Sequence, residues 1–90
     1  MRILVANVNT TASMTDSIAA QARSIAAPGT DIVGITPRFG ADSCEGNFES
    51  YLAAIAVMDA VTSYPEPFHA VVQAGYGEHG REARQELLDV

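Results

Sequence analysis

Three short apolar runs separated by helical patterns constrain this chain more than any other feature. Residues 2–8 (RILVANV) are apolar and rich in β-branched side chains, and they give way to the polar cluster Asn9, Thr10, Thr11, Ala12, Ser13, as a buried parallel strand does. Residues 31–36 (DIVGIT), closed by Pro37, and residues 69–74 (HAVVQA) predict a second and a third strand. Between the first two runs, Met14, Ile18, Ala22 and Ile25 recur at helical spacing. Ser13 with Asp16 offers a capping-box start, and Pro28-Gly29 ends the pattern. Phe48, Tyr51, Leu52, Ile55, Met58 and either Val61 or Thr62 mark the apolar face of a second helix. A polar third helix follows the glycine-rich residues 75–80 and contains Arg81, Glu82, Arg84, Gln85 and Glu86.

Strand and helix alternating three times is the pattern of βαβ units. Their right-handed crossovers build a parallel sheet covered on both faces, so the expected fold is a three-layer α/β/α domain with a short sheet in the order 2-1-3. Ninety residues make one domain, residues 1–90, with room for a modest core. Eleven acidic against five basic side chains leave a net charge of −6, which argues against nucleic acid or an anionic membrane as partner. The single cysteine, Cys44, has no partner for an intramolecular disulfide. No cluster shows metal-ligand spacing, and no apolar run is long enough for an export signal or a membrane span. The expected compartment is a reducing cytoplasm.

In a sheet of this kind ligands collect beyond the carboxyl ends of the strands, where three loops gather: residues 9–13, 38–47 and 75–80. In the first, the amides and hydroxyls of Asn7, Asn9, Thr10 and Thr11 sit beside a helix start, whose unpaired N–H groups and dipole suit a small carboxylate. The bland alternative is that Thr10, Thr11 and Ser13 only cap the helix. The third loop, Gly75-Tyr76-Gly77-Glu78-His79-Gly80, spells GxGxxG and so admits a dinucleotide reading. That fingerprint, however, belongs after the first strand, and its acidic ribose partner would fall beyond Val90. Cys44 offers a thiol near the strand ends, or simply a small packed hydrophobe. His79, beside Glu78, can move protons at neutral pH, or be a surface histidine. His69, at the opposite edge of the sheet, has no evident chemical role.

The opening MRILVANVNTTASMT, the middle TPRFGADSCEG and the closing HAVVQAGYGEHGREARQELLDV together resemble the N-terminal lobe of the aspartate/glutamate/hydantoin racemase family. Val8 stands where the family's Asn-Pro-Asn-Thr-Thr motif has proline, and Glu45-Gly46 stands where the family has Glu-Gly. The resemblance implies two similar α/β lobes enclosing a cofactor-independent site, in which a cysteine from each lobe acts on opposite faces of the chiral carbon. It further implies that Asn9, Thr10 and Thr11 hold the carboxylate or hydantoin carbonyl of a small-molecule ligand. Glu45 and Gly46 would shape the pocket, and Gly75 and Tyr76 would line it. Gly75 falls at the position of the family's first cysteine, which leaves Cys44 and His79 as weak substitutes and the chain inactive by itself. The chain looks like a truncated N-terminal lobe, expected to form a homo-oligomer or to lack a second lobe. The competing class is a non-catalytic small-carboxylate-binding module. With sheet edges uncovered, Val5, Val33, Val71, Val72, Leu87 and Leu88 are expected to be underburied, favouring association.

Overall fold

The computed structural model describes residues 1–41 and 46–74. In chain order these form β1 (Arg2–Asn7), α1 (Ala12–Ile25), β2 (Asp31–Ile35), α2 (Asn47–Thr62) and β3 (Ala70–Ala74). All strand pairs are parallel and the order is β2-β1-β3, with Leu4 in register between Val33 and Val71. The third helix expected from the sequence lies outside the described residues.

Central position explains the composition of β1. Its side chains alternate between two apolar layers, so neither face can be polar. Leu4, Ala6 and Val8 pack with Ala53, Val57 and Val61 of α2, while Val5 packs with Ala19 of α1 and Ile32. The chain steps from β1 to β2 on one side and then back across β1 to β3. Right-handed crossovers then require the two helices to lie on opposite faces, as they do.

Each helix meets the core with only part of the face its spacing predicts: Ile18 and Ala22 of α1 pack against it, and in α2 Val61 is buried and Leu52 and Met58 are half-buried. In α1 the buried residues are Thr15 and Ala19, whereas Met14 is 47% and Ile25 88% exposed. The reason is close approach: a Cβ built on Gly34 of β2 would lie 3.0 Å from Thr15 Cγ2 and 3.1 Å from Ala19 Cβ. Only small side chains fit beneath the helix there. The expected Ser13–Asp16 capping box is also replaced, because α1 begins at Ala12 with Thr11 as its N-cap residue. In α2 the buried residues are Ala53, Ala56, Val57 and Val61, and Phe48, Tyr51 and Ile55 of the predicted face point to solvent.

Both edges of the described sheet show how they are treated. The Arg23 guanidinium donates two hydrogen bonds, 3.2 and 2.9 Å, to the Ile32 carbonyl of edge strand β2. On β3, Val72 remains 52% exposed, as expected, while Val5 is buried and Val33 and Val71 are partly buried. Leu87 and Leu88 lie outside the described residues. Among the described residues no helix is long and apolar enough to cross a membrane, and no group of three His, Cys, Asp or Glu is placed to hold a metal.

Candidate functional site

The carboxyl end of β1 carries a buried network of neutral polar groups. Asn7, Asn9 and Thr15 are each buried, and the Asn7 side-chain amide sits at the centre of them. Its Nδ2 donates to Asn9 Oδ1 at 2.9 Å, to Thr15 Oγ1 at 3.0 Å and toward the Thr11 carbonyl at 3.2 Å, while its Oδ1 accepts the Asn9 N–H at 3.2 Å. Asn9 Oδ1 also accepts the Thr11 N–H at 3.0 Å, and the Thr15 hydroxyl lies 2.7 Å from that of Thr36 at the end of β2. Buried polar groups cost free energy unless paired, so this network fixes one conformation of the β1–α1 turn. Residues from β1, α1 and the end of β2 are thereby held together.

Two features leave this turn suited to a ligand. The Asn9 Nδ2 donor, inside a residue only 6% exposed, meets the thioether of Met14 at 3.6 Å, and a thioether is a weak acceptor. The start of α1 carries no acidic residue in its first turn, and Thr11 supplies no side-chain capping bond. Its leading N–H groups and positive dipole end therefore keep their attraction for an anion. The start of α2 contrasts with it. Gly46 is the N-cap, Glu49 lies in the first turn, and Glu49 Oε1 folds back to within 3.2 Å of where a Gly46 Cβ would be. A carboxylate of the protein itself already occupies that dipole.

Of the residues singled out from the sequence, Asn9 and Thr11 are joined directly by a hydrogen bond. Thr10 is tied through its N–H to the Ala41 carbonyl at 3.1 Å, which brings the segment after β2 alongside the first loop. Gly46 starts α2 at the same end of the sheet. Cys44, Glu45, Gly75, Tyr76 and His79 lie outside the described residues; Ala74, just before Gly75, pairs in register with Asn7. His69 proves structural, its Nδ1 accepting the Arg2 N–H at 3.0 Å. Sequence reasoning missed Thr15 and Thr36, whose signal was a hydroxyl where an apolar face or strand end was expected.

A separate cavity of about 260 Å³ lies on the α2 side of β2, lined by Ile35, Thr36, Arg38, Ser63, Tyr64 and Pro65 among others. Arg38 is not available there as a free cation: it holds Asp59 through Nε–Oδ2 at 2.9 Å and Nη2–Oδ1 at 2.5 Å. That hydrogen-bonded pair keeps the Asp59 carboxyl below its ordinary value. In the neutral turn after β1, by contrast, the Asn9 Nδ2 donor meets the weak thioether acceptor of Met14.

The family model for Asp/Glu/hydantoin racemases matches residues 3–90. The chain belongs to the Asp/Glu/hydantoin racemase family. It is similar to the hydantoin racemase of Paenarthrobacter aurescens, at 37% identity over 91 residues, covering 99% of this chain and 39% of that protein. The hydantoin racemase of Pseudomonas sp. (strain NS671) is 36% identical over 90 residues, with 99% and 36% covered. Among solved structures, an allantoin racemase from Pseudomonas fluorescens superposes with a TM-score of 0.96 at 75% identity, covering 98% of this chain and 37% of that one. An allantoin racemase from Klebsiella pneumoniae gives 0.90 at 39% identity, with 96% and 36% covered. The chain thus spans less than two fifths of the length of these racemase-family relatives.

Proposed function

We propose that the chain forms one lobe of a cofactor-independent racemase-type isomerase whose ligand is a small ring urea of the hydantoin or allantoin kind. The observation that carries this reading is the donor-rich, uncharged turn after β1, at the β1/β3 boundary where sheets of this order take their ligands. Asn9, Thr10 and Thr11 hold the carbonyl or carboxylate oxygen of the ligand, and Glu45 and Gly46 shape the pocket. Racemisation removes the proton from the chiral carbon to a base on one face and returns a proton from an acid on the other. Negative charge grows on the neighbouring carbonyl oxygen, and the Asn9 amide with the start of α1 is suited to stabilise it. Gly75 and Tyr76 line the pocket where the resemblance places a thiol. A glycine cannot exchange a proton, and Cys44 and His79 are the remaining candidates for base or acid.

Circular dichroism of L-allantoin or an L-5-substituted hydantoin incubated with the chain tests this reading. The chain alone leaves the signal unchanged over times in which a complete family member abolishes it. Gly75→Cys places a thiol just before the helix expected from the sequence, with a pKa expected below the free-cysteine value of about 8.5. Racemisation by the unmodified chain that disappears in Cys44→Ser would move the chemistry to Cys44. The second reading, a carboxylate-binding module without chemistry, is favoured by the same glycine. It is separated by ligand binding in the absence of exchange at the chiral carbon, even when the Gly75→Cys chain is supplied with the remaining part of a complete family member.

A further inference from the structure

Met14 stands at helical spacing with Ile18 and Ala22, yet those two pack against the core while Met14 stays 47% exposed. Its sulfur is engaged instead. Sδ lies 3.6 Å from Asn9 Nδ2, a donor in a residue only 6% exposed. The Asn9 amide is held in one orientation, because its Oδ1 accepts from Asn7 Nδ2 at 2.9 Å and from the Thr11 N–H at 3.0 Å. Nδ2 therefore points away from that network and toward Met14. Met14 is the third residue of α1, and helix side chains lean toward the amino end, so the thioether lies over the first turn as well as against the amide.

We propose that Met14 is a displaceable cover: its sulfur keeps the place on the Asn9 amide that the ligand's oxygen takes, and the side chain swings out to solvent when the ligand enters. The inference rests on the ring-urea reading of this turn and adds the residue that regulates access to it. A buried N–H without an acceptor is costly, and one bonded to a protein oxygen would be closed to a ligand. A thioether lies between these extremes. It is a weak acceptor on an unbranched chain with three rotatable bonds, so it satisfies the amide in part and yields readily to a carbonyl or carboxylate oxygen. The half-exposed position of Met14 leaves the side chain room to move outward. Leucine would fill much the same space without an acceptor, whereas glutamine would bring a strong acceptor at a similar reach. The two substitutions should therefore shift ligand affinity in opposite directions, which a merely packing role would not do.

Nitrogen-15 NMR of the 90-residue chain and of its Met14→Leu and Met14→Gln variants tests the cover, with circular dichroism to confirm that each is folded. Without ligand, the Asn9 Nδ2 proton signals should move upfield in Met14→Leu and downfield in Met14→Gln, as the acceptor is removed or strengthened. On titration with hydantoin, Met14→Leu should bind about twofold tighter than the unmodified chain and Met14→Gln about fivefold weaker, a span set by one net neutral hydrogen bond. If either variant fails to fold, the other decides by the same two signs. Asn9 signals that stay in place in both variants overturn the proposal. So does hydantoin bound equally by all three chains, or weakened as much by Met14→Leu as by Met14→Gln. Those outcomes leave the ring-urea reading standing. Hydantoin bound by none of the chains overturns that reading, and the cover with it.

Discussion

The two ends of β1 are fastened by opposite means. At the amino end, Arg2 reaches Asp31 Oδ2 at 3.1 Å, Glu66 Oε2 at 2.9 Å and the Pro67 carbonyl at 3.0 Å, all at the surface. The hydrogen bond to Asp31 is the chief reason its guanidinium is held charged even more firmly than usual. At the carboxyl end, Asn7, Asn9, Thr15 and Thr36 are joined without a single charge and mostly out of water. Formal charges in solvent are screened and hold little, whereas buried neutral dipoles hold geometry and leave no counter-charge to compete with an incoming ligand. The carboxyl end, where parallel sheets of this order generally take ligands, has the second kind of fastening.

The largest expected effect comes from breaking that end. Asn7→Ala strands the buried Asn9 N–H, leaves the Thr15 hydroxyl with Thr36 alone and opens a small void. It should destabilise the fold by about 2–4 kcal/mol in urea unfolding, where each unsatisfied buried group costs about 1–3 kcal/mol. Arg2→Met, at the other end, should lower the unfolding midpoint by distinctly less. Its loss should shrink as salt is raised, while the Asn7→Ala loss should stay constant. An equal, salt-independent loss at both ends would erase the contrast.

The smallest effect concerns the exposed Arg38–Asp59 pair. Because the folded-state pKa of Asp59 is depressed, its contribution is present above the unfolded aspartate value near 3.9 and is lost as pH falls through the lower folded value. Asp59→Asn should therefore lower stability slightly at neutral pH and flatten the acid limb, the two stability–pH curves converging once pH falls below the folded-state value. A loss confined to acid pH would contradict the sign.

What could be read from the sequence follows from where each constraint lives. β1 was legible because a central parallel strand is apolar on both faces, and the topology was legible because alternation with right-handed crossovers leaves few arrangements. Helix faces were legible only in part, through Ile18, Ala22 and Val61. In α1 the helix presents Thr15 and Ala19 rather than Met14 and Ile25, since Gly34 of another strand admits only small side chains beneath it. In α2 apolar residues are spread around the helix, so spacing alone could not choose, and the sheet took the alanines and valines while Phe48 and Tyr51 stayed outside. Asn9 and Thr11 stood out as candidate ligand contacts beside a helix start. Asn7, the hub that orients them, was visible only as one more loop amide, because its partner Thr15 comes from the following helix and is itself tied to Thr36 at the end of β2.

The claim on which this account rests is that the neutral turn after β1 receives the oxygen of a small ring urea. A nitrogen-15 correlation NMR titration of the chain with hydantoin or L-allantoin at millimolar concentration tests it residue by residue. The account predicts that the largest shifts fall on the Asn9 side-chain amide and the backbone amides of Thr11, Ala12 and Ser13, and that Asn9→Ala abolishes them while the chain stays folded. Shifts centred instead on Arg38 and Ser63, or none at all at saturating ligand, would contradict it.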